Sequence, residues 1–186
     1  MKKIFICLLV LSLLGLYGVS HGKRRVIKAS ELISLADASA LLGQSMKEGK
    51  PDKRPFVDES KYVSKDFNFS ISVWQEALHD KSSDFEKKLL KKGWASYLKE
   101  MKKAYSQNYY KQNIVEVSGI QVTSYLQDGE AMGLWLLHMF HGDYYIVVSL
   151  SNTSFSKTDN EKESAWKKEK LIESGKLAIG RLKALL

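Results

Sequence analysis

Cysteine is nearly absent from the 186 residues. The one example, Cys7, lies in an apolar N-terminal segment. The rest of the chain has no thiol, which excludes disulfides, CxxC redox chemistry, Cys-ligated zinc and a Cys nucleophile. Proline is almost as scarce, with Pro51 and Pro55 in one short stretch. No G-x-S-x-G elbow and no glycine-rich phosphate loop occurs. No repeat with a period of about 20–50 residues is visible, so a solenoid is not expected. Acids are rare on the strand-like stretches, being Glu116 with Asp143 at a turn. A glycosidase needs two acids facing one cleft, and this pattern does not supply them.

What is present is an ordinary globular composition, 44% hydrophobic and 27% charged. The length suits one domain with a real core. Lys2 and Lys3, the uncharged run from Ile4 to Leu16, and small residues around Ser20 and Gly22 have the layout of a cleaved signal peptide. Residues 1–22 are therefore read as a leader and 23–186 as a single α+β domain. Cys7 lies inside the apolar run, not after it, which excludes a lipoprotein signal. The alternative is an N-terminal membrane anchor, although the apolar stretch is short for a span of roughly 20 residues. Lys23, Arg24, Arg25 and Lys28 follow the run at once, and such charge opposes export. The expected location is secreted or periplasmic, in the cell envelope.

The formal charge is +8, or +6 once Lys2 and Lys3 are set aside with the leader. A basic chain favours an acidic protein or an anionic membrane surface as partner. The export signal and the lack of a recognised motif argue against nucleic acid.

Hydrophobic periodicity sets the expected elements. Gly133 to Leu150 holds two apolar runs around His141-Gly142-Asp143, a β-hairpin at the centre of a sheet. Ser34 and Asp37 form a capping box ahead of a Leu35–Leu42 helix, closed by Gly43. Residues 44–60 read as loop. Phe67, Phe69, Ile71 and Val73 alternate with polar residues, a half-buried strand, with Tyr62-Val63 as a short strand before it. Trp74 then falls on the polar face, toward solvent. A second capping box at Ser83 opens a basic amphipathic helix from Asp84 to Tyr105. Ile114 to Val117 and Ile120 to Leu126 are further strands. Residues 151–160 read as polar loop, and Glu161 to Leu186 as a long helix. The sum is an antiparallel sheet of about five to six strands flanked by helices.

The order of elements resembles small secreted bacterial proteins of uncertain function with the fold of the PsbP extrinsic photosystem protein. Three pieces support this: "LISLADASALLGQSM" as opening helix, "VSGIQVTSYL" as a turn and strand, and the hairpin followed by a closing helix. Gly119-Ile120 matches the family's G-[IL]-G-D pattern, while Gln121-Val122-Thr123 departs from it. The resemblance implies fold and export and transfers no catalytic residue.

No catalytic constellation emerges. A Ser-His-acid triad lacks its supporting motif. His138 and His141 have opposite strand parity, so a metal site with Asp143 would need a bent turn. No cofactor is expected. The expected function is an exported, non-enzymatic binding protein of the cell envelope. The alternatives are an inhibitor or immunity-type protein whose basic face meets an acidic partner, and an envelope hydrolase. The candidate partner-binding residues are Trp74, Tyr109 and Tyr110.

Overall fold

The computed structural model describes residues 25–52, 54, 57–75, 96, 99–100, 103, 114–127, 133–154 and 159–186. They form an α+β structure on one antiparallel sheet of seven strands. The strands are β1 (Lys47–Glu48), β2 (Val57–Val63), β3 (Phe67–Gln75), β4 (Ile114–Glu116), β5 (Thr123–Gln127), β6 (Leu134–His141) and β7 (Tyr144–Asn152). Their spatial order is β1-β2-β3-β7-β6-β5-β4, which puts β7 at the centre. The expected hairpin is β6 and β7, joined by a tight turn in which Gly142 adopts φ 55°. A left-handed residue is the usual requirement of so short a connection, and glycine meets it without strain.

Among the described residues, three helices pack on one face of this sheet: α1 (Ala29–Leu32), α2 (Leu35–Leu42) and α3 (Glu161–Leu185). The α2 capping box forms as its sequence predicts. Ser34 Oγ accepts from the Asp37 amide at 3.2 Å, and Asp37 accepts from the Ser34 amide at 2.8 Å. Gly43 closes the helix with φ 65°. Asn160 caps α3, accepting from the Glu163 amide at 2.9 Å. Arg181 of α3 donates to Asp37 at 2.9 Å and to the Leu32 carbonyl at 3.2 Å, tying the three helices together. This guanidinium holds the Asp37 carboxyl far below the usual carboxylate range.

Strand parity decides which side chains meet the helices. Phe69, Ile71 and Val73 of β3, Trp135, Leu137 and Met139 of β6, and Ile146, Val148 and Leu150 of β7 all point that way and are fully buried. Leu171, Ala178, Ile179 and Leu182 of α3 close the core from above. The helix comes close because residue 175 is glycine. A Cβ there would stand 2.6 Å from Leu137 Cδ2, 2.9 Å from Ile120 Cδ1 and 3.0 Å from Met139 Sδ.

Several expectations need correction. Among the described residues the sheet has seven strands, against the five to six expected. Residues 44–60 are not all loop, because β1 and the first half of β2 fall within them. Their charges suggested solvent, yet the two acids of β2 have partners. Asp58 accepts from the Ala29 amide at 2.6 Å, and Glu59 accepts from the Asp52 amide at 2.8 Å. Residues 118–122 are a bend before β5, with Ile120 buried. β7 runs on through Asn152, two residues into the expected loop. The predicted Asp84–Tyr105 helix lies outside the described residues except at Ser96, Lys99, Glu100 and Lys103, which are helical. The leader also lies outside them. Among the described residues no helix is long and apolar enough to cross a membrane.

Candidate functional site: a groove on the far face of the sheet

The second parity set points away from the three helices, and we term this the far face. It has two parts. One is an aromatic row across four strands. Trp74 of β3 meets Tyr145 of β7 at 5.7 Å between ring centroids. Tyr145 stacks on Phe140 of β6 at 4.9 Å, and Phe140 meets Tyr125 of β5 edge-on at 6.4 Å. The register explains the row, since Trp74 pairs with Tyr145 and Phe140 pairs with the same residue from the other side. The Arg54 guanidinium caps its end, 5.3 Å above the Trp74 ring.

The other part is a hydroxyl row. Asn68 pairs with Ser151, Ser70 with Ser149, and Ser72 with Val147. Ser70 Oγ and Ser149 Oγ lie 2.7 Å apart. Beside them Leu134 and Leu136 of β6 add apolar surface. Together with Asp52, Arg54, Glu59 and Lys61 these residues line a groove of about 460 Å³. That is within the usual range of small-ligand sites, about 300–1,000 Å³. The four charged residues comprise two acids and two bases. Glu59 lies 3.5 Å from Arg54 and accepts from Ser72 Oγ at 3.3 Å. The groove is therefore not a trap for anions, despite the basic chain.

His138 occupies the join between the two parts and is buried. Gln127 Oε1 can only accept, so the 2.9 Å contact puts the imidazole proton on Nε2. Nδ1 then accepts from the Tyr145 hydroxyl at 2.7 Å. Burial pushes this imidazole down to about 4, so the ring is neutral at physiological pH. Both nitrogens are engaged with groups that are neither acid nor serine. This is not the arrangement of a general base aimed at a nucleophile.

The candidate residues fare differently. Trp74 lines the groove, half-buried between Arg54 and Tyr145 rather than turned out to solvent. Its surroundings explain the correction, because the Tyr145 ring covers one flank and the Arg54 guanidinium lies over the indole. Tyr109 and Tyr110 lie outside the described residues. His138 and His141 fall on opposite faces, because β6 runs without a bulge through both. Among the described residues no cluster of three His, Cys, Asp or Glu side chains is placed to hold a metal.

Two features were missed in the sequence. Parity separated His138 from His141 without saying which face each takes, and the partners of His138 at Gln127 and Tyr145 depend on register across three strands. The second is a buried polar cluster under α3, where Lys167 and Asp159 form an ion pair at 2.7 Å with both side chains fully inaccessible. A usable signal existed there. Lys167 precedes Leu171, Ser174 and Ala178 at helical spacing, on the stripe that faces the core.

Comparison with protein-family models, with curated proteins and with solved structures found no match to this chain.

Proposed function

We propose that this chain is an exported binding protein of the cell envelope, working without catalysis, and that its ligand lies in the far-face groove. One observation supports it most: a ligand-sized groove in which a hydroxyl row, a Leu-Val flank and an indole edge converge on a charge-balanced rim. Such a lining suits a neutral ligand with hydroxyl or amide groups along one side and apolar surface along the other. Export is supported by the leader-like N-terminal segment and by the cysteine-free remainder, which tolerates an oxidising compartment. A PsbP-like fold belongs to the same proposal. It is supported by the opening capped helix and by the hairpin followed by a closing helix.

The test is native mass spectrometry of the full protein recovered from its own envelope, beside a Ser149→Trp variant that fills the groove. A small molecule should accompany the wild type and be absent from the folded variant. Recovery of the wild type from cytosol would refute export. Equal retention of the molecule by the variant would refute the groove.

A further inference from the structure

The buried cluster under α3 has the parts of a covalent crosslink. Lys167 Nζ donates to Asn152 Oδ1 at 2.8 Å, to Asp159 Oδ1 at 2.7 Å and to the Gly133 carbonyl at 3.1 Å, with Glu163 further off at 4.0 Å. Asn152 Nδ2 donates to the same Asp159 oxygen at 2.9 Å. Asp159 is held from its other side by the Trp135 indole N–H at 2.9 Å. One carboxylate oxygen thus touches both an amine and the amide beside it. Lys167 is fully buried, and Asn152 and Asp159 nearly so, which keeps water from the carboxamide. The Phe67 ring stands 5.7 Å from Nζ.

We propose that Lys167 and Asn152 join through an isopeptide bond, with Asp159 as the proton relay. A carbonyl bond is about 1.23 Å long, so a nitrogen 2.8 Å from Oδ1 is at most about 4 Å from Cγ. A small torsional change of the lysine brings it to the attack range of about 3–3.5 Å. The ammonium passes one proton to Asp159 along their hydrogen bond. The freed lone pair attacks Asn152 Cγ, and the carbonyl π electrons move to Oδ1. Through Asp159, one further amine proton reaches Nδ2. The Oδ1 electrons re-form the carbonyl, the Cγ–Nδ2 bond breaks, and ammonia leaves. Lys167 Nζ and Asn152 Cγ end as a secondary amide, and Asp159 ends as a neutral acid. Nothing is oxidised or reduced, and no co-reactant is needed. The product replaces a buried ion pair by neutral groups, which removes the desolvation cost of two charges. It also gives a domain whose only cysteine lies in the leader-like segment a covalent staple between the central strand and the closing helix.

The experiment is intact-mass analysis of the folded full chain under denaturing conditions, followed by tryptic mapping. The expected result is a deficit of one ammonia, a branched peptide joining residues 152 and 167, and loss of cleavage after Lys167. Wild type kept unfolded from synthesis should show full mass and acquire the deficit on refolding. Asp159→Asn, if it folds, should retain full mass. Full mass in folded wild type after prolonged incubation overturns the proposal. So does an ammonia deficit without the branched peptide, the mark of a succinimide at an asparagine. A deficit of one water with the branch at residue 159 would overturn the assignment of Asn152 as the acceptor.

Discussion

The two faces of the sheet are built from the same strands and differ in nearly everything else. On β6, Trp135, Leu137 and Met139 are sealed under α3, while Leu134 and Leu136, one residue out of phase, line the groove. On β7, Ile146, Val148 and Leu150 face the helices, while Tyr145, Val147, Ser149 and Ser151 face the groove. The helix side spends its alternate positions on close packing and admits a polar cluster in which Lys167, Asn152, Asp159 and the Trp135 indole are hydrogen-bonded to one another, while Ser164 Oγ of α3 is buried without a hydrogen-bond partner among the described residues. The far side keeps hydroxyls in rows and leaves space between them. The first face explains why the chain folds, and the second is where recognition has room to occur. The difference should appear as a steep contrast in the energetic effect of polar substitutions.

The largest effect is expected at Asp159. Replacing it by Ala removes an acceptor shared by Lys167, Asn152 and the Trp135 indole, and leaves the Lys167 charge without its nearest counter-ion inside the sealed face. Breaking a buried pair by removing one partner costs about 3–5 kcal/mol. Urea unfolding of Asp159→Ala against wild type should show a loss of at least that order, since the variant also lacks the relay that the proposed crosslink needs. A loss near that of a surface substitution would mean that the cluster is hydrated and that the two faces are less distinct than they look.

An intermediate effect is expected from acid at His138, which sits on the far face yet is buried. Its folded pKa of about 4 lies below the unfolded value of about 6.5. Between these values the unfolded chain binds a proton that the folded chain refuses, so stability rises with pH across the window. The contribution is complete above about pH 6.5 and is lost as pH falls toward 4. At about 1.4 kcal/mol per unit it amounts to roughly 3 kcal/mol. The difference in unfolding free energy between wild type and His138→Gln should therefore depend on pH in that window. A constant difference would mean that the imidazole is open to water, and that the groove extends beneath the aromatic row.

How much of this was legible in the sequence follows the same division. The Leu35–Leu42 helix, the alternation from Phe67 to Val73, the hairpin and the closing helix all have local signals, namely a capping box, period 2, a glycine turn and an apolar stripe. The first half of β2 did not, because Asp58 and Glu59 resemble a solvated loop until their partners at Ala29, Asp52 and Ser72 are known. The Lys167–Asp159 pair was hidden in a similar way. A lysine in a charged helix and an aspartate in a polar loop are usually exposed, and only the lysine's place on the Leu171 stripe hinted otherwise. On the far face, parity correctly separated Trp74, Ser70 and Ser72 from the core set of β3, and said nothing of which face His138 or Ser149 takes. The groove itself depends on register among β2, β3, β7 and β6, which no local pattern encodes.

The smallest effect is expected at Ser149, and there the comparison is sharpest. Ser149 Oγ lies 2.7 Å from Ser70 Oγ, both half-buried at the groove wall. Replacing Ser149 by Ala removes one neutral hydrogen bond, worth about 0.5–1.5 kcal/mol net where nothing else can serve. Here water can reach the stranded Ser70 hydroxyl, so the loss should fall at or below the lower end of that range. The same substitution should nonetheless weaken whatever small molecule accompanies the protein, since it removes a polar group from the wall of the proposed site. Stability and ligand retention, read on one preparation by thermal unfolding and native mass spectrometry, should therefore separate: nearly unchanged melting, reduced retention. A large loss of stability with unchanged retention would assign the hydroxyl row to the core and leave the groove without its recognition surface.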